Sequence, residues 1–172
     1  SSLTPTGIAP ALRFAFMTRI LGYLSLAINY RLGGLNVAGY HAVNLLLHIL
    51  NAWLLNVILR HAFKWVTFNR TVSEGETFNP LPLFATLLFL CHPIQTNAVT
   101  YISSRFVLLA SFFSLLSLAS YIRFRTTDEG RSRIAFQALA VISAAAGMMC
   151  KEFTFTLPFL IALYEFSFFH SD

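Results

Sequence analysis

Apolar residues run along this chain in blocks too long for a soluble core, broken by short polar or basic interruptions. Residues 37–59 (VAGYHAVNLLLHILNAWLLNVIL), 106–122 (FVLLASFFSLLSLASYI), 134–150 (IAFQALAVISAAAGMMC) and 153–169 (FTFTLPFLIALYEFSFF) approach or exceed the roughly 20 residues a helix needs to cross a bilayer. A shorter apolar run, LPLFATLLFLC at 81–91, follows Pro80 and contains Pro82. Prolines suit the first turn of a helix, where no intrahelical N–H bond is lost. Residues 11–34 are apolar but interrupted by Arg13, Arg19, Asn29 and Arg31, which reads as a helix lying in the interface; Gly33-Gly34 would then turn the chain into the first span. The pattern predicts an all-α, polytopic transmembrane bundle. Residues 1–36 form an outer-face interfacial segment, and residues 37–170 cross about five times, near 37–59, 80–92, 106–122, 134–150 and 153–169.

Composition agrees with lipid as the solvent. Hydrophobic residues make up 56% of the chain, aromatics 15% and charged residues 11%, against about 25% charged in soluble domains. There are 18 phenylalanines and two lysines. The chain opens on Ser1 without an initiator methionine or an evident signal peptide, so it is expected to be processed or part of a longer protein. The net charge of +5 does not point to nucleic acid, because the arginines cluster at the ends of apolar runs rather than along one face. Cys91 and Cys150 lack metal-finger spacing.

The basic residues set the expected orientation. Arg60, Lys64 and Arg70 follow the first span, and Arg123, Arg125, Arg131 and Arg133 lie between two later ones. The positive-inside rule puts both groups in the cytoplasm. Residues 80–92 must then cross as well, as a short or broken helix. The stretch CHPIQTNAVTYISSR (91–105) and the Cys150-Lys151-Glu152 turn would both face outward. Asn69-Arg70-Thr71 matches a glycosylation sequon, but this orientation makes it a chance match.

His41, Asn44, His48 and Asn51 recur at steps of three and four and therefore share one helix face. Polar side chains are costly in hydrocarbon, so this face should meet other helices or a wet cavity. The first alternative is interhelical hydrogen bonding, about 0.6 kcal/mol each; the second is the wall of a cavity for a polar ligand. Histidines seven residues apart do not form an i, i+4 metal pair, so no metal site is expected. Ser111, Ser114, Ser117 and Ser120, and Ala140, Ala144 and Gly147, form small-residue stripes suited to close helix packing. Arg105, Lys151 and Glu152 read equally as interfacial anchors or, for the two cations, as a phosphate pocket. Glu165, inside the last span, needs a partner or a proton. Pro158 is expected to kink that span.

Taken together, YHAVNLLLHILNA (40–52), HPIQTNAVTYISSR (92–105), YIRFR (121–125) and KEFTFTLPFLIALYEF (151–166) resemble the membrane domain of the GT-C type glycosyltransferases that carry C-terminal tetratricopeptide repeats. Animal members are O-mannosyltransferases of the endoplasmic reticulum, and the wording here is more similar to the bacterial relatives. The resemblance covers roughly residues 18–170. It implies a GT-C-like fold, a bacterial inner-membrane location (endoplasmic reticulum if eukaryotic), and a polyprenyl-phosphate sugar as donor substrate with no further cofactor. His92, Arg105 and Lys151 would line the donor phosphate, with Gln95 and Thr96 nearby. Glu152 would orient a cation or contact the acceptor side, and His41, Asn44 and His48 would line the cavity. The family's acidic pair has no counterpart, since no Asp or Glu precedes Glu74, so this chain alone is expected to be inactive. Two readings follow: part of a transferase acting on a protein hydroxyl, or a non-catalytic scaffold subunit of a larger membrane complex. Its partners would be membrane lipid, lipid-linked sugar and a protein acceptor or other membrane subunits.

Overall fold

The structure, a computed structural model, describes residues 19–69, 79–128 and 130–169, with backbone alone for 65–69. Arg13, Arg70 and the rest of the sequon after Asn69 lie outside the described residues, as do residues 1–18 of the expected interfacial segment. The described residues are helical, with no strand among them. The helices are α1 (Ile20–Gly33), α2 (Val37–Asn69), α3 (Leu81–Cys91), α4 (Thr96–Thr100), α5 (Arg105–Thr126), α6 (Arg131–Met148) and α7 (Leu157–Phe168). Tight 3-10 turns occupy Pro93–Gln95, Ile102–Ser104 and Glu152–Thr156.

Two helices are long and apolar enough to cross a membrane, over Val37–Lys64 and Ile102–Thr126. A third crossing exists if Leu81–Cys91 and Pro93–Thr100, bent by 48°, make one span. Length and composition alone identify no more than these among the described residues. α6 spends its first turn on Arg131 and Arg133, and α7 has only 12 residues, about 18 Å. Pro158 does not kink the last span. It sits in the first turn of α7, where its missing N–H breaks no bond, and the preceding residues 152–156 wind as a 3-10 turn instead.

The break after α3 has a local cause. His92 is extended (φ −63°, ψ 129°), as the residue before a proline prefers. Its ring Nδ1 accepts the amide of Ile94, 3.2 Å away, which caps the turn that follows. Gly34 takes φ +59° and reverses the chain between α1 and α2, as the Gly33-Gly34 pair predicts.

α2 and α5 lie side by side and run in the same direction, with α3 returning between their ends. Leu54, Ile58, Ala119 and Ile122 form the buried seam, flanked by Phe112, Leu115 and Tyr164. α6 packs on α5 through the expected small residues. Ser117 Oγ donates to Ala140 O at 2.8 Å, and a Cβ on Gly147 would stand 3.4 Å from Phe113 Cβ on α5 and 2.8 Å from Thr154 Cγ2 in the turn before α7. Without a hydrophobic driving force between helices in lipid, such close van der Waals contact is what joins them. Gly22 serves α1 in the same way: a Cβ there would run into the Phe106 ring on α5.

Candidate functional site at the broken-helix end

The connector from Cys91 to Ser104 interrupts helical bonding and leaves carbonyls without intrahelical partners. Such groups cannot stay bare at membrane depth. The polar face of α2 supplies their donors. His48 Nε2 lies 3.2 Å from Leu90 O. Asn44 Nδ2 donates to Val99 O at 3.2 Å and to Tyr101 O at 3.0 Å. Beyond the connector, Asn51 Nδ2 donates to Leu108 O, inside α5, at 3.2 Å. Asn44, His48 and Asn51 are all buried. On the fourth member of the face, His41, Nδ1 has no partner among the described residues. Hydrogen bonding between helices, rather than a wet wall, accounts for three of the four.

Arg105 stands at the centre of this end and is fully buried, at 0% exposure. Its Nε donates to Asn44 Oδ1. Nη1 donates to Ser25 Oγ at 3.0 Å. Nη2 donates to Asn29 Oδ1 at 3.2 Å and to Tyr40 O at 3.0 Å. These four bonds leave a single N–H of the planar fork unused. All four acceptors are neutral, so the guanidinium keeps its charge in a cage of dipoles drawn from α1 and α2. No side chain other than arginine offers donors in that fixed fan.

The other expected site residues stand on the surface of the same end. His92 and Thr96 are exposed, and Gln95 and Lys151 are half-buried. Glu152 accepts from Arg19, with Nη2 at 2.8 Å and Nε at 3.2 Å. That pair fastens the start of α1 to the turn between α6 and α7. Arg105 and Asn44 are thus brought together, and α1 links Arg105 to Glu152 through Ser25, Asn29 and Arg19. No hydrogen bond joins His92 to Lys151 among the described residues. Ser25, Asn29 and Tyr40 are partners that sequence reasoning missed. Their signal was present: Ser25 and Asn29 are four residues apart in an otherwise apolar helix, hence on one face.

At the opposite end, Glu165 finds its partner. Its carboxylate is 2.7 Å from Arg125 Nη2 and accepts from Tyr121 Oη at 2.7 Å.

Among proteins of known name, protein O-mannosyl-transferase TMTC4 of Homo sapiens is 34% identical over 154 residues, which is 86% of this chain and 20% of that protein. Human protein O-mannosyl-transferase TMTC3 is 31% identical over 147 residues, 86% of this chain and 14% of the relative. Protein O-mannosyl-transferase Tmtc2 of Drosophila melanogaster is 33% identical over 153 residues, 86% and 15% respectively. Over this stretch the chain is a homologue of the protein O-mannosyl-transferases. It spans about a fifth, or less, of the length of these relatives. No family model matches the chain. No solved structure matches it significantly.

In this homologue of the O-mannosyl-transferases, the Arg19–Glu152 pair carries a pH signature. The hydrogen bond from Arg19 holds the Glu152 carboxyl below its ordinary value of 4.5. A carboxylate whose folded pKa is depressed contributes stability above its unfolded pKa and loses it as pH falls through the folded one. The docking of α1 is therefore expected to weaken in acid, below the ordinary carboxylate range. Both side chains are exposed, so added salt should shrink the effect. Thermal unfolding of wild type and Arg19→Gln between about pH 7 and pH 3 checks this; the variant should have the flatter profile.

Proposed function

We propose that the chain is part of a GT-C-like membrane glycosyltransferase that crosses the bilayer about five times. It transfers a sugar, mannose by analogy with the named relatives, from a polyprenyl-phosphate donor to a protein hydroxyl at the extracytoplasmic face. The observation that carries this reading is the kinship with protein O-mannosyl-transferases over 86% of the chain. The geometry adds a polar end at which His92, Lys151 and the Arg19–Glu152 pair stand accessible around a buried, rigid support. In this reading His92 and Lys151 meet the donor phosphate. Arg105 is a positioning residue that fixes the connector presenting His92, Gln95 and Thr96, and Glu152 orients a cation or the acceptor side. Transfer to a hydroxyl also needs a group to take its proton. The resemblance puts that base in an upstream acidic pair, and the chain offers no acidic residue before Glu74; in this reading the base is supplied by another part of the enzyme, and the chain alone does not transfer sugar.

The test is sugar transfer from a polyprenyl-phosphate mannose by the longer protein, wild type against Lys151→Ala and His92→Ala. Loss of a preorganised donor to a departing phosphate is expected to lower turnover on the order of 100-fold; the unfolding temperature should be unchanged in Lys151→Ala, and slightly lowered in His92→Ala, which also loses the cap on Ile94. Unchanged turnover in both variants removes the phosphate assignment. A second reading, a non-catalytic scaffold subunit, is favoured by one observation: Asn44, His48 and Asn51 are spent on backbone carbonyls and not on a cavity. Absence of transfer by every assembly containing the chain would select it.

A further inference from the structure

A cavity of about 270 Å³ opens at the end of the bundle remote from Arg105, between α2, α5 and α7. Ile122, Tyr164, Phe168 and Phe169 make its walls; His61, Lys64 and Thr126 also line it. Its depth in the membrane follows from the helices that frame it. Lys64 and Thr126, both in its lining, lie beside Arg123 and Arg125, the basic residues that close the apolar run of α5. Basic residues at the end of an apolar run are the pattern of a membrane boundary. The chamber is apolar, while its mouth lies among basic residues.

Among the described residues the cations at that mouth are Lys64, in its lining, and Arg123, whose charge acts with that of Lys64 on His61. The nearby carboxylate, Glu165, is already taken by Arg125 and Tyr121. Lys64 is exposed and has no ion-pair partner among the described residues. Basic sites between helices at headgroup depth suit lipid phosphates. A chamber near the small end of ordinary ligand cavities, about 300 Å³ upward, suits a length of hydrocarbon chain better than a bulky polar group.

We propose that this cavity holds one acyl chain of an anionic phospholipid whose phosphate sits against Lys64. The proposal is independent of the donor site at the other end of the bundle, and its test needs no transfer activity. The intact protein is purified in detergent and incubated with phosphatidylglycerol or phosphatidylcholine of identical acyl chains, and bound lipid is read by native mass spectrometry. One lysine at headgroup depth corresponds to about fivefold preference for the anionic lipid. Wild type should show that preference, and Lys64→Ala should abolish it. Thr126→Phe, which fills the chamber, should lower retention of both lipids. Equal retention of the two lipids by wild type, or a preference that survives Lys64→Ala, would overturn the proposal. So would polyprenyl phosphate displacing phosphatidylglycerol at equal concentration, which would assign the cavity to a different lipid. Should Thr126→Phe not fold, the exposed Lys64→Ala decides the matter by itself.

Discussion

Arg105→Ala is expected to lower stability by roughly 3–5 kcal/mol, because it removes at once the donor to two buried asparagine oxygens, a half-buried hydroxyl and a helix carbonyl. Those acceptors are Asn44 Oδ1, Ser25 Oγ, Asn29 Oδ1 and Tyr40 O. Two of them belong to α1, which the described contacts tie to the bundle chiefly at Arg105, at Gly22 against Phe106 and at the exposed Arg19–Glu152 pair. Loss of Arg105 should therefore free α1 as well as loosen the connector. Arg105→Lys should recover little, since an ammonium is a compact point donor and does not span the same fan. Thermal unfolding in detergent measures the effect, and the midpoint should fall by about 10 °C. A fall of only a degree or two would mean that the cage is not what holds this end.

The second large effect is expected at Asn44. Its carboxamide does two jobs: Oδ1 accepts from Arg105, and Nδ2 donates to Val99 O and Tyr101 O. Leucine has nearly the same shape and can do neither. Asn44→Leu should cost roughly 2–3 kcal/mol, because it leaves the Arg105 guanidinium and two connector carbonyls short of a partner. Because the two residues share one network, the double variant Arg105→Ala with Asn44→Leu should cost less than the sum of the singles by about 1 kcal/mol or more. A double-mutant cycle reads that coupling directly. Additive losses would separate the connector from the arginine cage.

The helices were legible in the sequence where length or proline chemistry decided them. α2 and α5 announce themselves as long apolar runs, and α3 is bracketed by Pro80 and the His92-Pro93 step. Boundaries were less legible where polar residues are good helix formers. α2 continues past Leu59 to Asn69, because Arg60, His61 and Lys64 end an apolar run without ending a helix. At the other extreme, the apolar run 153–169 looked like one uninterrupted helix, yet its first residues belong to a 3-10 turn. Hydropathy reports burial in lipid, not backbone hydrogen bonding, so it does not see that turn.

The site shows the same division. The spacing of His41, Asn44, His48 and Asn51 showed that they share a face, but not what they face. That depends on the carbonyls of Leu90, Val99 and Tyr101, which are silent in any side-chain pattern. Arg105 illustrates the point further. A lone arginine before an apolar span reads as an interfacial anchor or a phosphate ligand, and its partners Ser25 and Asn29 lie about eighty residues away in sequence. The cavity beside Lys64 was not legible either, because it arises from how α2, α5 and α7 splay.

Hydrogen–deuterium exchange of the connector tests the claim on which the rest depends: that the buried arginine and the polar face of α2 hold the break in the third helix in place. The comparison is wild type against Arg105→Ala, below the unfolding temperature of both. Exchange in peptides covering residues 93–104 and in α1 should accelerate sharply in the variant, while the shared seam of α2 and α5 around Ile58 and Ile122 stays protected. Unchanged exchange in residues 93–104 would contradict the account.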